Sequence, residues 1–259
     1  MQSFVTLLRS LRFQALFLPG TILFSLLCVG MRKLGLMQWR SWAAWGWGQC
    51  GMLGAGVPVE THLEHLPPPG PMIIMANHQS QLDICLFFTR LRKYDCCFVA
   101  KKPLFKLPFL GKAMHALGHV CVDQDNPRQA MKAIDEAIEK ARAGQAVVIF
   151  PEGTRAFTFE TLQEFQVGAM ILALKSGLPV VPVLIHGAGD VSARETMKIN
   201  KPNGPLRLTA LPVLHPCERY TMKDREALRQ ELQTLMTTEY ERLRGLYYPR
   251  LAANTLEAR

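Results

Sequence analysis

"PMIIMANHQSQLDICLFFTRLR", residues 71–92, decides how the rest of the chain is read. "PMIIMA" is a short apolar run and reads as a buried strand. "QLDICLFFTRLR" reads as a helix, which leaves "NHQS", 77–80, as the turn at the strand's carboxyl end. A buried strand that feeds directly into a helix is the unit of a mainly parallel sheet. Ligands of such sheets sit beyond the carboxyl ends of the strands. The turn itself has two readings. Ser80 followed by Asp83 is a capping box, a common way to start a helix, with His78 as a plain loop residue. Alternatively His78 and Asp83 form a catalytic pair. Within one regular helix, positions five apart are separated by about 140°. The two side chains can therefore meet only if His78 precedes the helix and Asp83 lies in its first turn. A carboxylate on one ring nitrogen would then fix the imidazole, leaving the other nitrogen as a base near neutral pH. From these residues alone the two readings balance.

The same texture extends over most of the chain. Short apolar runs at 57–63, 71–76, 95–100, 118–122, 146–150, 179–185 and 206–213 read as strands, with helical patterns between them. One helix is expected at 127–142, with Asn126 as its cap, Pro127 in its first turn and Gly144 beyond its end. Another is expected through "TLQEFQVGAMILALKSG", 161–177. A last one, 222–244, should carry Leu228, Leu232, Leu235 and Leu243 on one side. The fold class is thus α/β: a mainly parallel sheet covered by helices.

A second apolar strand, "VVIFPEGTR" at 147–155, ends in another candidate loop. Gly153 lets the backbone approach a ligand closely. Arg155 offers a planar fork of donors suited to a phosphate. A turn with a surface ion pair is the plainer alternative. The loop is no P-loop, since the Gly-x-x-x-x-Gly-Lys pattern is absent.

The N-terminus has a different character. No acidic residue precedes Glu60, while Arg9, Arg12, Arg32, Lys33 and Arg40 do. Residues 13–31 carry no charge, and about 20 apolar residues cross a bilayer. Pro19 and Gly20 interrupt the run and basic residues flank it on both sides. These features suggest a bent or re-entrant hairpin with both ends on the cytoplasmic side. All four tryptophans follow, at 39, 42, 45 and 47, and indoles favour the headgroup layer. No small-x-small cleavage site closely follows the run, so it reads as an anchor rather than a signal peptide. The expected organisation is a membrane-anchoring segment at 1–56 and a catalytic domain at 57–259.

The 259 residues are 49% hydrophobic with a net charge of +9. A basic surface attracts nucleic acid, anionic lipid or phosphorylated substrates alike. Its clustering beside apolar segments, with no nucleic-acid motif, favours lipid over nucleic acid. "KKPLFKLPFLGK", 101–112, alternates lysines with large apolar residues and suits an anionic lipid surface; a solvated basic loop is the alternative. The seven scattered cysteines suggest buried thiols in a reducing compartment.

Together "NHQSQLD" and "FPEGTR" resemble the glycerophospholipid acyltransferase family, and most of all its 1-acyl-glycerol-3-phosphate acyltransferases. "VAKKPLFKLPFLG" at 99–111 and "GLPVVPVLIHG" at 177–187 are weaker matches in the right order. The resemblance implies acyl transfer from acyl-CoA or acyl carrier protein to the hydroxyl of a lysophospholipid, giving phosphatidic acid. His78 would be the base and Asp83 its partner. Arg155, helped by Lys101, would hold the acceptor phosphate in a pocket shaped by Glu152, Gly153 and Thr154. A backbone N–H near the helix start would stabilise the oxyanion. No metal or other cofactor is implied. The implied partners are membrane lipids, the lysophospholipid acceptor and the acyl donor. The implied location is a membrane, the inner one in a bacterium, with the catalytic domain facing the cytoplasm. The sequence departs from the family at Gln124, where an arginine helps hold the acceptor phosphate, and at Gln166 and Val167, where a lysine is usual. Another lysolipid or glycerol-3-phosphate is therefore an alternative acceptor. A non-catalytic lipid-binding protein would explain the anchor and the charge but leave His78 and Asp83 idle.

Overall fold

A computed structural model describes residues 2–248. In chain order the helices are α1 (Gln2–Lys33), α2 (Arg40–Ala55), α3 (Leu82–Arg90), α4 (Lys102–Phe105), α5 (Leu110–Leu117), α6 (Pro127–Arg142), α7 (Val167–Ser176), α8 (Ala188–Val191) and α9 (Arg225–Tyr247). The strands are β1 (Val59–His62), β2 (Met72–Ala76), β3 (Cys97–Lys101), β4 (Val120–Val122), β5 (Ala146–Ile149), β6 (Val180–His186) and β7 (Leu206–Ala210). They form one sheet in the order β1-β7-β6-β2-β5-β3-β4. The strands from β6 to β4 are parallel. β7 runs antiparallel to β6, and β1 follows β7. The fold is thus α/β with a mainly parallel sheet, and each expected strand lies within or beside its expected run.

Strand alternation divides the core into two faces. Ile74 and Ala76 of β2 pack with α1, α2 and α3 on one side. Ile73 and Met75 pack with α6, α7 and α9 on the other. Asn126 caps α6 as expected, its side chain accepting from the Gln129 N–H at 3.2 Å. Two helices differ from expectation. Residues 161–166 are not helical: the Gln163 N–H is taken by Glu152 and the Phe165 N–H by Gln233. On α9, Leu235 is exposed, and Met236 and Tyr240 fill the core with Leu228, Leu232 and Leu243.

The hairpin does not turn at Pro19 and Gly20, where the sequence suggested an interruption. α1 continues through Pro19, and the chain reverses only after Lys33 to bring α2 back along it. Gly20 marks close approach rather than a break, since a Cβ there would lie 2.8 Å from Cys50 of α2. Nor do all four indoles face outward. Trp39 and Trp42 are exposed, but Trp47 packs against Phe17 and Phe88, and its Nε1 donates to Thr21 Oγ1 at 2.9 Å. Of the cysteines, Cys217 is exposed, while Cys28, Cys85, Cys96 and Cys97 are buried.

Candidate active site

β2 and β5 are parallel neighbours with Met75 opposite Ile149. Their carboxyl ends therefore deliver "NHQS" and "PEGTR" side by side. The two loops are tied through the backbone of His78: its N–H donates to Glu152 Oε1 at 2.7 Å, and its carbonyl accepts from the Ala156 N–H at 2.7 Å. Asn77 fixes the same strand end from the other side, its amide bonding both the N–H and the carbonyl of Ile185 in β6.

His78 stands before α3, and Asp83 lies in that helix's first turn. The imidazole Nδ1 sits 2.7 Å from Asp83 Oδ2. The ring stacks on Phe150 with centroids 4.0 Å apart and a 16° interplanar angle. Asp83 is fully buried, whereas the His78 side chain is 16% exposed. The same Asp83 oxygen accepts from the Gln79 N–H at 2.6 Å and the Ser80 N–H at 2.8 Å. One oxygen thus caps the turn and holds the ring. The Ser80 half of the box differs, since its hydroxyl takes the Leu82 N–H at 3.2 Å. A neutral imidazole that donates from Nδ1 to this carboxylate would present the Nε2 lone pair on the opposite side of the ring. The Gln79, Ser80 and Leu82 N–H groups are already bonded, so these three are not available to an oxyanion as they stand.

Glu152 lies under this turn. It is 4% exposed, and its second oxygen accepts from the Gln163 N–H at 3.0 Å and Gln163 Nε2 at 3.2 Å. Burial outweighs these donors and pushes its carboxyl up to about 7. Both oxygens are engaged, so Glu152 ties the two loops together. Gly153 has φ +67°, and a Cβ there would lie 3.2 Å from the side chains of Gln124 and Gln166. Both departures from the family pattern thus meet at this glycine.

Thr154 and Arg155 are half-buried beyond it. Lys101 ends β3, the other neighbour of β5, and so lies at the same end of the sheet. Asp123 pairs with Lys102 at 2.7 Å. Arg194, on the segment after α8, had no signal in the sequence. Its guanidinium lies 4.3 Å from the ring centroid of Phe157, two residues past Arg155. Its Nη1 is buried and has no hydrogen-bond partner among the described residues. Gln79 was also missed: its amide bonds Tyr240, whose hydroxyl donates to the Phe159 carbonyl at 2.7 Å. Among the described residues no group of three or more His, Cys, Asp or Glu could hold a metal ion.

A family model described as Acyltransferase matches residues 58–186, a span that contains both loops. The chain belongs to the acyltransferase family. It is 36% identical over 129 residues to a 1-acyl-sn-glycerol-3-phosphate acyltransferase of Chlamydomonas reinhardtii, covering 49% of this chain and 38% of that protein. It is 35% identical over 172 residues to the 1-acyl-sn-glycerol-3-phosphate acyltransferase of Saccharomyces cerevisiae, covering 66% of this chain and 56% of that one. The chain thus spans less than two thirds of the length of either relative. The crystal structure of the 1-acyl-sn-glycerophosphate acyltransferase PlsC from Thermotoga maritima superposes with a TM-score of 0.77 over 94% of this chain and 98% of that one. At 23% identity that likeness is one of fold. The matched span covers six of the seven strands, and α1 and α2 precede it.

Proposed function

We propose that this acyltransferase moves a fatty acyl group from acyl-CoA or acyl carrier protein to the free hydroxyl of 1-acyl-glycerol-3-phosphate, giving phosphatidic acid. The 2.7 Å contact between His78 Nδ1 and Asp83 Oδ2 carries the reading. His78 Nε2 takes the hydroxyl proton as the oxygen attacks the thioester carbon. Asp83 stabilises the imidazolium that forms. The tetrahedral intermediate then collapses: the carbon–sulfur bond breaks, and the departing thiolate takes the proton back from His78. No covalent enzyme intermediate is needed. Arg155, with Lys101, holds the acceptor phosphate at the same sheet end. Arg194 would add a further cation: its Nε pairs with Glu195 at 2.9 Å, while its Nη1 has no hydrogen-bond partner among the described residues. Gly153 and Thr154 shape the backbone there, and Glu152 braces it.

The membrane role rests on α1, which is long and apolar enough to cross a bilayer. It exposes Phe4, Leu8, Leu11, Leu18, Ile22 and Leu26 at helical spacing. Yet it touches the rest of the molecule along its length. Ser10 Oγ accepts from the Ile199 N–H, and Arg32 donates to the Ala116 carbonyl. A helix packed in this way is better suited to lie in one leaflet than to cross as a free span. Leu104, Leu107 and Phe109 add exposed apolar surface. We place the catalytic domain on the cytoplasmic side.

The test is an assay of purified protein with acyl-CoA and acyl carrier protein against a panel of lysolipids. Phosphatidic acid and free thiol should appear in equal amounts with lysophosphatidate. Turnover only with an acceptor that lacks a phosphate monoester would overturn the assignment.

A further inference from the structure

We propose that the groove between the first turns of α1 and the 196–201 segment binds an anionic phospholipid of the bilayer. The groove is an open cleft of about 870 Å³, of the size of small-molecule sites, roughly 300–1,000 Å³. One wall is α1, with Val5 and Leu7 beside polar Thr6. The other carries Lys198, Asn200 and Lys201. No carboxylate lines it, and both lysines are exposed. The groove opens beside the outward apolar stripe of α1 that begins at Phe4, Leu8 and Leu11. A phosphodiester therefore finds two ammonium groups and an amide at one side, and its acyl chains find leucine and valine at the other. This amphiphilic match favours a lipid headgroup over a free anion. The Ser10–Ile199 hydrogen bond, 3.0 Å, joins the two walls. Thr196 on the same segment accepts from Gln81 Nε2 at 3.2 Å, so an occupant would brace the segment beside the candidate active site. None of the residues assigned to acyl transfer lines the groove.

The proposal does not depend on the reaction. It is tested with the full chain in neutral detergent micelles, by displacement of a fluorescent phosphatidylglycerol. Phosphatidylcholine should bind at least tenfold more weakly than phosphatidylglycerol. Lys198→Gln and Lys201→Gln should each weaken phosphatidylglycerol about fivefold, and together about thirtyfold. Thr6→Trp keeps every charge but fills the groove, and should also weaken binding at least fivefold. Arg155→Ala should leave it unchanged. Melting temperatures without lipid check folding, and Asn200→Trp replaces Thr6→Trp if that variant melts early. Affinity that survives the double lysine substitution overturns the proposal. So does loss with the lysines but not with the bulky variant, which would mean surface charge alone. Loss with Arg155→Ala would assign the lipid to the candidate active site. Displacement by millimolar inorganic phosphate would make the groove a free-anion site.

Discussion

Asp83 performs two tasks through one oxygen, and the tasks can be separated by measurement. Oδ2 accepts from two backbone N–H groups of the turn and from the His78 ring. An amide at this position can still accept the backbone hydrogen bonds, but it cannot stabilise an imidazolium. Asp83→Asn should therefore lower kcat by about 10²-fold or more, with a small change in acceptor KM and in melting temperature. A variant whose kcat loss is matched by unfolding would reduce Asp83 to a cap. Arg155 makes a different prediction. A hydrogen bond to a charged group contributes about 1.5–3 kcal/mol, so Arg155→Ala should raise the acceptor KM roughly ten- to hundred-fold. Arg155→Lys should recover only part, because an ammonium lacks the bidentate fork. Kinetics with both substrates varied would detect the contrary result, an effect confined to the acyl donor. The contact of His78 with Asp83 was one of two balanced readings of the turn, and the resemblance carried by "NHQSQLD" and "FPEGTR" favoured it. Arg194 was not legible, because only the fold brings the segment after α8 over Phe157.

Among the elements, the ends of β2 and β5 depend on Glu152 as their connector. Its folded carboxyl, pushed up by burial to about 7, lies above the ordinary 4.5. The folded state therefore binds the proton more tightly. Stability from this group is fully present below about 4.5 and is lost as pH rises through about 7. His119 and His186 run the other way. Burial lowers each to about 4, so their contribution is lost as pH falls from 6.5 toward 4. The informative quantity is thus the stability of the wild type minus that of Glu152→Gln. It should fall across pH 4.5 to 7 by an amount on the order of 3 kcal/mol. Parallel pH profiles for the two proteins, in urea unfolding, would contradict it. The central strands were legible because each is an apolar run between breakers, whereas β1 (VETH) and β7 (LRLTA) toward one sheet edge mix polar and apolar residues. Residues 161–166 were not legible, because their N–H groups bond Glu152 and Gln233, which lie far away in sequence. Trp47 was misread for a similar reason: an indole beside an apolar helix packs inward once Phe17 and Phe88 surround it.

For the whole molecule, the helical hairpin packs into the core on one side and leaves an apolar stripe exposed on the other. Phe13 and Phe17 of α1 join the sheet's first packed face, while the opposite stripe of α1 is exposed. The full protein should sediment with membranes and remain there in high salt, since salt screens charge but does not remove inserted apolar surface. Release of most of it by salt alone would show peripheral attachment. The apolar run was legible as one long apolar segment, but its path was not. Pro19 suggested a bend, whereas packing of α1 against α2 keeps the helix continuous through it. The most direct test of acyl transfer is the turnover of His78→Ala, measured on protein that still sediments with membranes and melts as the wild type does. The reading predicts that phosphatidic acid formation from lysophosphatidate and an acyl thioester falls at least about 10²-fold, with both substrates still bound. Turnover within a few-fold of the wild type would contradict it.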